Sequence, residues 1–445
     1  MRPNLIEQIE RLALFGDPRP IVKLIGMVPP PATLAIQRAR FRRTLRLAAQ
    51  HSPFYREQFR RRGINVRRIS HPSELGDFYT TGEDLREYGA EAFLTGRADT
   101  AFETTGTTSS VPKRVFFSHR EIDEMGRASA IGLYFLGLRR DDKVLSAFDC
   151  SFWVSPWVLR SALNYIKCFH TEAGKIDPPE FYERAAAYRP SIIVGEPSWL
   201  LRLSETAESR GVWPVKFLLA GGENITEAAR SAIQRVWNAP LYLNYGQTEA
   251  FGGLGLECVR QEGYHRNDFN FFFEVIDADR DGYGELVYTT LTRDCMPLIR
   301  YRSTDVTRFV ETPCGCGLFT KRLGKVRARC DEMIVCGMGN IGPWIFAELL
   351  RDAPGVGEDW QVFVRHEGKR DVVELRVELD DPSRQAEIER LVHAHLRERF
   401  PDFWKNREMK LYDLCLVGEP RGSLRTSRKL RRIVDERQML MRRAS

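Results

Sequence analysis

The chain has 445 residues, 43% hydrophobic and 29% charged, with net charge +7 and a pI of about 8.9. These globular values suit a large core in two or three domains and exclude a disordered chain. With no apolar run of about 18 residues and no apolar core in the first residues, neither a membrane span nor a secretory leader is expected. The positive charge suits an anionic ligand, but it is spread along the chain and no recognition motif accompanies it, so nucleic acid is not an expected partner. Nine cysteines, an odd number, point to reduced thiols in the cytoplasm.

Residues 1–94 read as mostly helical, with Leu45, Ala48, Ala49 and Phe54 near helical spacing and a break at Ser52-Pro53. Asp77 to Arg86 reads as a loop leading into a helix. The stretch Thr104-Thr105-Gly106-Thr107-Thr108-Ser109-Ser110-Val111-Pro112-Lys113 follows, before a strand-like Arg114 to Ser118. Gly106 allows a tight turn, and the hydroxyls, amides and Lys113 can face one concavity that binds phosphate oxygens. A solvated Ser/Thr turn is the alternative. No Gly-Lys-Ser/Thr follows at the spacing of a Walker loop.

Helix and strand patterns then alternate. His119 to Leu138, Arg160 to Ile166 and Ser198 to Arg210 read as helices. Lys143 to Phe148, Ser191 to Gly195 and Val215 to Ala220 read as strands. That alternation predicts an α/β fold with a largely parallel sheet and ligands at the carboxyl ends of its strands. Three strand-end loops are expected: Gly221-Gly222-Glu223-Asn224, then Asn244 to Glu249 after a strand at Pro240 to Leu243, then Ile299 to Asp305 after Gly284 to Thr290.

Cys258, His265, Cys314 and Cys316 form a Cys3His set that suits tetrahedral Zn²⁺, with Cys-Gly-Cys-Gly turning both sulfurs to one point. Scattered free cysteines are the alternative, and Cys330 and Cys336 are nearby competitors as ligands. No open coordination position is apparent, so the metal would be structural. Residues 322–332 mark a domain boundary, and Met333 to Pro343 is Gly-rich. Residues 344–410 read as helix, strand (Trp360 to Val364), strand (Val372 to Val377) and a long helix to about Phe400. The Arg-rich tail at 422–435 contains Lys429, and a solvated basic end is the plain alternative.

Together these stretches resemble the adenylate-forming superfamily, and Ser52-Pro53-Phe54-Tyr55-Arg56 with residues 77–86 resemble its phenylacetate–CoA ligase branch. The chain departs from the pattern in places. Ser109 stands for a Gly, one extra residue precedes Pro112, Phe78 and Gly82 replace a Pro and a Lys, and Arg428 replaces a Gly. The resemblance implies an adenylation domain over 1–330 and a small mobile α+β domain over 331–445, with Asp331 as the hinge. It implies that Thr105, Gly106, Thr107, Thr108 and Lys113 hold phosphates. Gly222 and Glu223 would form one wall of an adenine slot, Tyr245 the other, and Asn244 would bond the adenine edge. Thr248 would hold the α-phosphate, Glu249 Mg²⁺, Asp305 the ribose, Arg329 ribose or phosphate, and Lys429 would be the catalytic lysine. Some relatives of that branch carry Cys and His at the positions of the Cys3His set.

The implied activity is ATP-dependent activation of a carboxylic acid and transfer to coenzyme A. The acceptor, coenzyme A, a carrier protein or an amine, stays open, as do an oxoacid substrate, a monomer or homodimer, and an inactive nucleotide-binding scaffold. Phe148, Phe152, Trp153, Trp157, Glu196, Trp199 and Phe251 are the candidates for the acid pocket, and their aromatic content favours an aryl acid.

Overall fold

A computed structural model describes residues 28–104, 112–148, 150–174, 176–223, 225, 227–318, 320–330, 334–336, 339–367, 370–408, 412–425 and 430–437. The sequence-predicted site residues Thr105, Gly106, Thr107, Thr108, Asp331 and Lys429 lie outside them. The chain divides into two compact units, Met1–Ser303 with Thr307–Lys325, and Thr304–Val306 with Val326–Ser445.

The first unit opens on helices α1 (Pro30–His51) and α2 (Pro53–Arg61). Ser52 separates them because its hydroxyl caps α2 through the Tyr55 N–H, and Pro53 fits the first helical turn. Helix α3 (Gly82–Glu87) starts on a reciprocal cap between Thr81 and Asp84. Strands β1 (Thr100–Glu103) and β2 (Arg114–Phe117) pair antiparallel. The Thr104 N–H donates to the Lys113 carbonyl at 3.0 Å and the Lys113 N–H to the Thr104 hydroxyl at 3.2 Å, so Thr104 and Lys113 extend the pairing of β1 and β2.

The α/β alternation expected from the sequence is present. It runs α4 (His119–Phe135), β3 (Lys143–Ser146), α5 (Ser155–Ile166), β4 (Phe169–Glu172), α6 (Pro178–Tyr188), β5 (Ile192–Gly195), α7 (Pro197–Arg210), β6 (Phe217–Gly221), α8 (Glu227–Trp237) and β7 (Leu241–Gln247). Strands β4, β3, β5, β6 and β7 lie side by side and parallel. Val144, Ile192, Val194 and Leu219 of these strands pack with Leu133, Leu159 and Leu163 of α4 and α5 in one core. Beyond β7 the sheet continues antiparallel through β8 (Gly252–Leu256) and β9 (Tyr264–Arg266). A second, antiparallel sheet holds β10 (Phe271–Ile276), β11 (Gly284–Thr290) and β12 (Tyr301–Thr307), and β13 (Phe309–Val310) and β14 (Arg322–Leu323) complete the edge of the first sheet beside β9.

Two sequence expectations need correction. The strand ending at Leu243 runs on to Gln247, because residues 244–247 pair with β8, and Asn244 also pairs with Gly221 of β6. The loop expected at Ile299 to Asp305 is largely strand β12, with alternate residues buried.

The second unit holds β15 (Ala328–Arg329), paired with Asp305 and Val306, and a hairpin of β16 (Ile334–Cys336) and β17 (Gly339–Ile341). Helix α9 (Pro343–Leu349), β18 (Val356–Glu367), β19 (Arg370–Leu379), α10 (Gln385–Arg399), α11 (Pro401–Glu408), β20 (Tyr412–Pro420) and β21 (Ile433–Asp435) follow. Its sheet has the order β20-β19-β18-β21 and buries Val362, Val364, Val373 and Leu375 against Ile388, Val392 and Leu396. No helix among the described residues is long and apolar enough to cross a membrane.

At the end of β7 a β-carbon on Gly246 would lie 1.9 Å from the Gly252 carbonyl oxygen. Gly246→Ala is expected to lower stability by about 1–3 kcal/mol, the cost of overpacking, read as a lower urea midpoint.

Candidate active site

Three distant segments of the first unit meet around one buried carboxylate. Glu249 follows β7 in the single 3-10 turn Thr248–Ala250 and is only 4% exposed. The Lys113 ammonium, just before β2, lies 2.5 Å from its Oε1. The Tyr301 hydroxyl of β12 donates to the same oxygen at 2.8 Å, and Lys113 also donates to Tyr301 at 3.1 Å. Burial pushes the Glu249 carboxyl up, but Lys113 first and Tyr301 after it outweigh burial and hold it below the usual carboxylate range. The cluster therefore presents a fixed ammonium and a fixed carboxylate where Lys113 bonds Thr104.

Other residues of the first unit hold this cluster in register. Arg293 is buried and donates to the Glu249 carbonyl at 2.7 Å and the Phe116 carbonyl at 2.6 Å, with its guanidinium 4.2 Å from the centre of the Phe117 ring. It thus ties the Glu249 turn to β2. Tyr55 and Thr80 bond each other at 3.1 Å, and both bond the backbone of Ile299, two residues before Tyr301. Tyr301 and Arg293 carry no role in the sequence reading. Tyr301 lies in a stretch singled out there, and Arg293 could be noticed only as a cation close to the apolar Leu291 and Met296.

The ends of β5, β6 and β7 bring further candidates together. Gly222 has φ +88 and open space around it, so its backbone conformation rather than crowding asks for glycine. A β-carbon there would come no closer than 3.9 Å to Glu196. The Ser198 N–H donates to Glu223 at 3.4 Å, which keeps Glu223 beside the start of α7. Asn244 is in register with Gly221, and Tyr245 is buried with its ring centre 5.4 Å from that of Tyr264.

The aromatic candidates separate. Phe251 is fully buried against Phe117 and Phe102, and Trp157, 40% exposed, also meets Phe102. Phe148 joins the core below β3, while Phe152 is exposed and Trp153 half-buried. The Trp199 indole donates to the Ile176 carbonyl and meets Phe181 edge-on, away from the others.

In the second unit, Asp305 lies 3.4 Å from Arg329, which also donates to the Thr304 hydroxyl at 2.6 Å. Thr304, within β12, takes φ +65, an uncommon conformation for a β-branched residue, so Arg329 bonds the side chain of a strained strand residue.

Cys258, His265, Cys314 and Cys316 offer four donor atoms within 4.8 Å of one another. The Cys258 and Cys314 sulfurs are 3.6 Å apart, and the Cys316 sulfur is 3.3 Å from His265 Nε2. A tetrahedral zinc site needs such edges at about 3.5–3.8 Å. Backbone N–H groups of Arg260 and Leu318 point at the Cys258 and Cys316 sulfurs, as in a knuckle built to hold thiolates. His265 Nδ1 meets the Thr320 hydroxyl at 2.8 Å, and burial pushes the imidazole down to about 4, so it stays neutral and able to ligate at pH 7. Burial pushes the Cys258 thiol up to about 12, the cost a bound cation would offset.

The Lys113–Glu249 pair generates a pH signature. Because the folded Glu249 pKa is lowered, its stabilisation is present above the ordinary carboxylate range and is lost as pH falls through the lowered value. Lys113→Met leaves a buried unpaired carboxylate, an expected loss of about 3–5 kcal/mol at pH 7. The gap from wild type should narrow at pH 4, where the stranded carboxyl protonates, as urea denaturation at the two pH values would measure.

Residues 102–269 match the family model described as AMP-binding enzyme. The phenylacetate-coenzyme A ligase of Thermus thermophilus is 26% identical over 430 residues, 91% of this chain and 96% of that protein. Among solved structures, 2-hydroxyisobutyryl-CoA ligase in its postadenylation state with 2-HIB-AMP has a TM-score of 0.75 at 21% identity, covering 94% of this chain and 92% of that one. O-succinylbenzoate coenzyme A synthetase from Bacillus subtilis, with ATP and magnesium ion, has a TM-score of 0.57 at 17% identity, covering 76% and 69%. The chain is thus similar to AMP-binding enzymes over residues 102–269 and to a phenylacetate-coenzyme A ligase over most of its length, and it shares the fold of CoA ligases.

Proposed function

We propose that this protein activates a carboxylic acid with ATP and passes the acyl group to coenzyme A. In the first half-reaction the acid's carboxylate attacks the α-phosphorus and pyrophosphate leaves. In the second the thiol of coenzyme A displaces AMP from the acyl-adenylate. The observation that carries this reading is the Lys113–Glu249–Tyr301 cluster, whose Lys113 and Glu249 lie inside the stretch that matches AMP-binding enzymes. Such chemistry needs positioning and charge neutralisation more than covalent help.

Within this reading Lys113 neutralises phosphate charge, and Tyr301 keeps the ammonium and the carboxylate together. Both groups meet Glu249 Oε1, which leaves Oε2 to hold a Mg²⁺ ion, a hard cation that prefers oxygen and offsets charge on the phosphates. Thr248 faces the α-phosphate, Gly222 and Glu223 flank the adenine opposite Tyr245, Asn244 bonds its edge, and Asp305 with Arg329 takes the ribose. Lys429 is our catalytic lysine, carried by a small domain that turns about Asp331. The acid is aryl, in keeping with the phenylacetate ligase in the comparison and with Trp157 against Phe102, which also meets Phe251. The knuckle holds one structural Zn²⁺, and thiol ligands of this kind suit a reducing cytoplasm.

The direct test is ATP–pyrophosphate exchange across a panel of aryl and alkyl acids, followed by assay for the coenzyme A thioester. Arylacetic or benzoic acids should stimulate exchange most. Exchange with no acid in the panel would sink the reading, and exchange without a thioester would move the acceptor to a carrier protein or an amine. Lys429→Ala should slow exchange by about 10²–10³, yet still transfer the acyl group from presynthesised acyl-adenylate. Asp305→Ala should weaken ATP binding by about 1.5–3 kcal/mol, the loss of a charged acceptor. Elemental analysis of protein purified without chelator should find about one zinc per chain.

A further inference from the structure

The Cys3His knuckle lies on the antiparallel side of the main sheet, and two of its ligands are direct chain neighbours of residues that hold β7. Tyr264 precedes His265 in β9. Its ring reaches Tyr245 across β8, where Gly255 stands opposite Tyr245 in the ladder. A β-carbon on Gly255 would lie 2.8 Å from the Tyr264 β-carbon, so the two tyrosines meet only because nothing stands between them. Glu257 precedes Cys258. Its Oε2 accepts the Leu243 N–H at 2.8 Å, and its own N–H donates to the Leu243 carbonyl at 2.9 Å. Arg230 of α8 fixes the Glu257 carboxylate with two bonds of 3.0 Å. The middle of β7, Leu243 to Tyr245, is therefore gripped at two points, each one residue from a candidate metal ligand.

We propose that Tyr264 and Glu257 are positioning residues through which a metal ion in the Cys258/His265/Cys314/Cys316 knuckle fixes the Tyr245 wall and so raises nucleotide affinity from a distance. Ligand bonds stop His265 and Cys258 from shifting, and a fixed β9 and β8 edge presents Tyr264 to Tyr245 in one place. A wall already ordered costs the nucleotide less to bind. The inference rests on Tyr245 as the adenine wall and on a filled knuckle.

The experiment measures mant-ATP affinity on the full chain, with metal content by elemental analysis and fold by circular dichroism. Tyr264→Leu should keep its metal and its fold and weaken mant-ATP binding by about three- to tenfold, the worth of an aromatic pair. Tyr264→Phe should restore wild-type affinity. In the Tyr245→Leu background the Tyr264→Leu effect should vanish, because coupled neighbours are not additive. Chelation of the wild-type protein should weaken binding while circular dichroism is kept, and should do so less in Tyr264→Leu. If chelation leaves wild-type affinity unchanged, the coupling is wrong while the adenine site stands. If Tyr245→Leu alone leaves affinity unchanged, the adenine reading falls and takes this inference with it. Purified chains without metal overturn the inference outright. Should Tyr264→Leu not fold, the chelation arm decides.

Discussion

A carboxylate sealed from water stays ionised only beside a cation, and Glu249 has one in Lys113. That requirement joins parts of the first unit that share no local sequence. Lys113 arrives from the hairpin, Glu249 from the end of the parallel sheet and Tyr301 from the second sheet. Each brings its own support. Tyr55 and Thr80 hold the approach to Tyr301, and Arg293 binds the Glu249 turn to β2. The N-terminal helices thereby gain a reason to be where they are. Helix α1 donates from Gln37 to the Asp268 and Phe271 carbonyls, and Tyr55 of α2 reaches the backbone that leads to β12.

The main sheet changes character at β7. On one side its neighbours are parallel and covered by helices, and on the other they are antiparallel. Carboxyl ends of parallel strands are the usual place for a ligand, and Gly222, Glu223, Asn244 and Thr248 all lie there. Among the described residues no α-helix connects β7, β8 and β9. The cysteine knuckle sits on that side, tying β9 to the turn at 314–317 across a long stretch of chain.

The alternation of apolar strands and helices made the α/β class legible, and the chemistry of the phosphate stretch and the cysteines made the site searchable. Residues 244–247 were less legible. Asn244, Gly246 and Gln247 have turn-forming or polar side chains, yet β8 on one side and, at Asn244, β6 on the other pull them into a strand. In β12 the alternation is present, but Arg302, Ser303, Thr304 and Asp305 make a polar strand that reads as a loop. Helix α8 was legible and missed, since Ala229, Ile233 and Trp237 recur every fourth residue. Arg293 was not legible, because its partners are two main-chain carbonyls far away in sequence. The convergence of Cys258 and His265 on Cys314 and Cys316 could be expected from their types, while the distances that make it a knuckle could come only from the fold.

The pair formed by Arg230 and Glu257 has an evolutionary consequence. Both side chains are almost fully buried, 2% and 0% exposed, and each is the other's ionic partner. Losing Arg230 strands the Glu257 charge in the interior, and losing Glu257 leaves Arg230 only the Glu227 carboxylate at 3.9 Å, whereas replacing both with apolar residues of similar volume can be neutral or favourable. Drift at these two positions is therefore gated. A lineage that abandons the pair must change both residues nearly together or pass through a poorly folding intermediate. Positions 230 and 257 should covary among relatives, as a charged pair in some and an apolar pair in others, with mixed states rare.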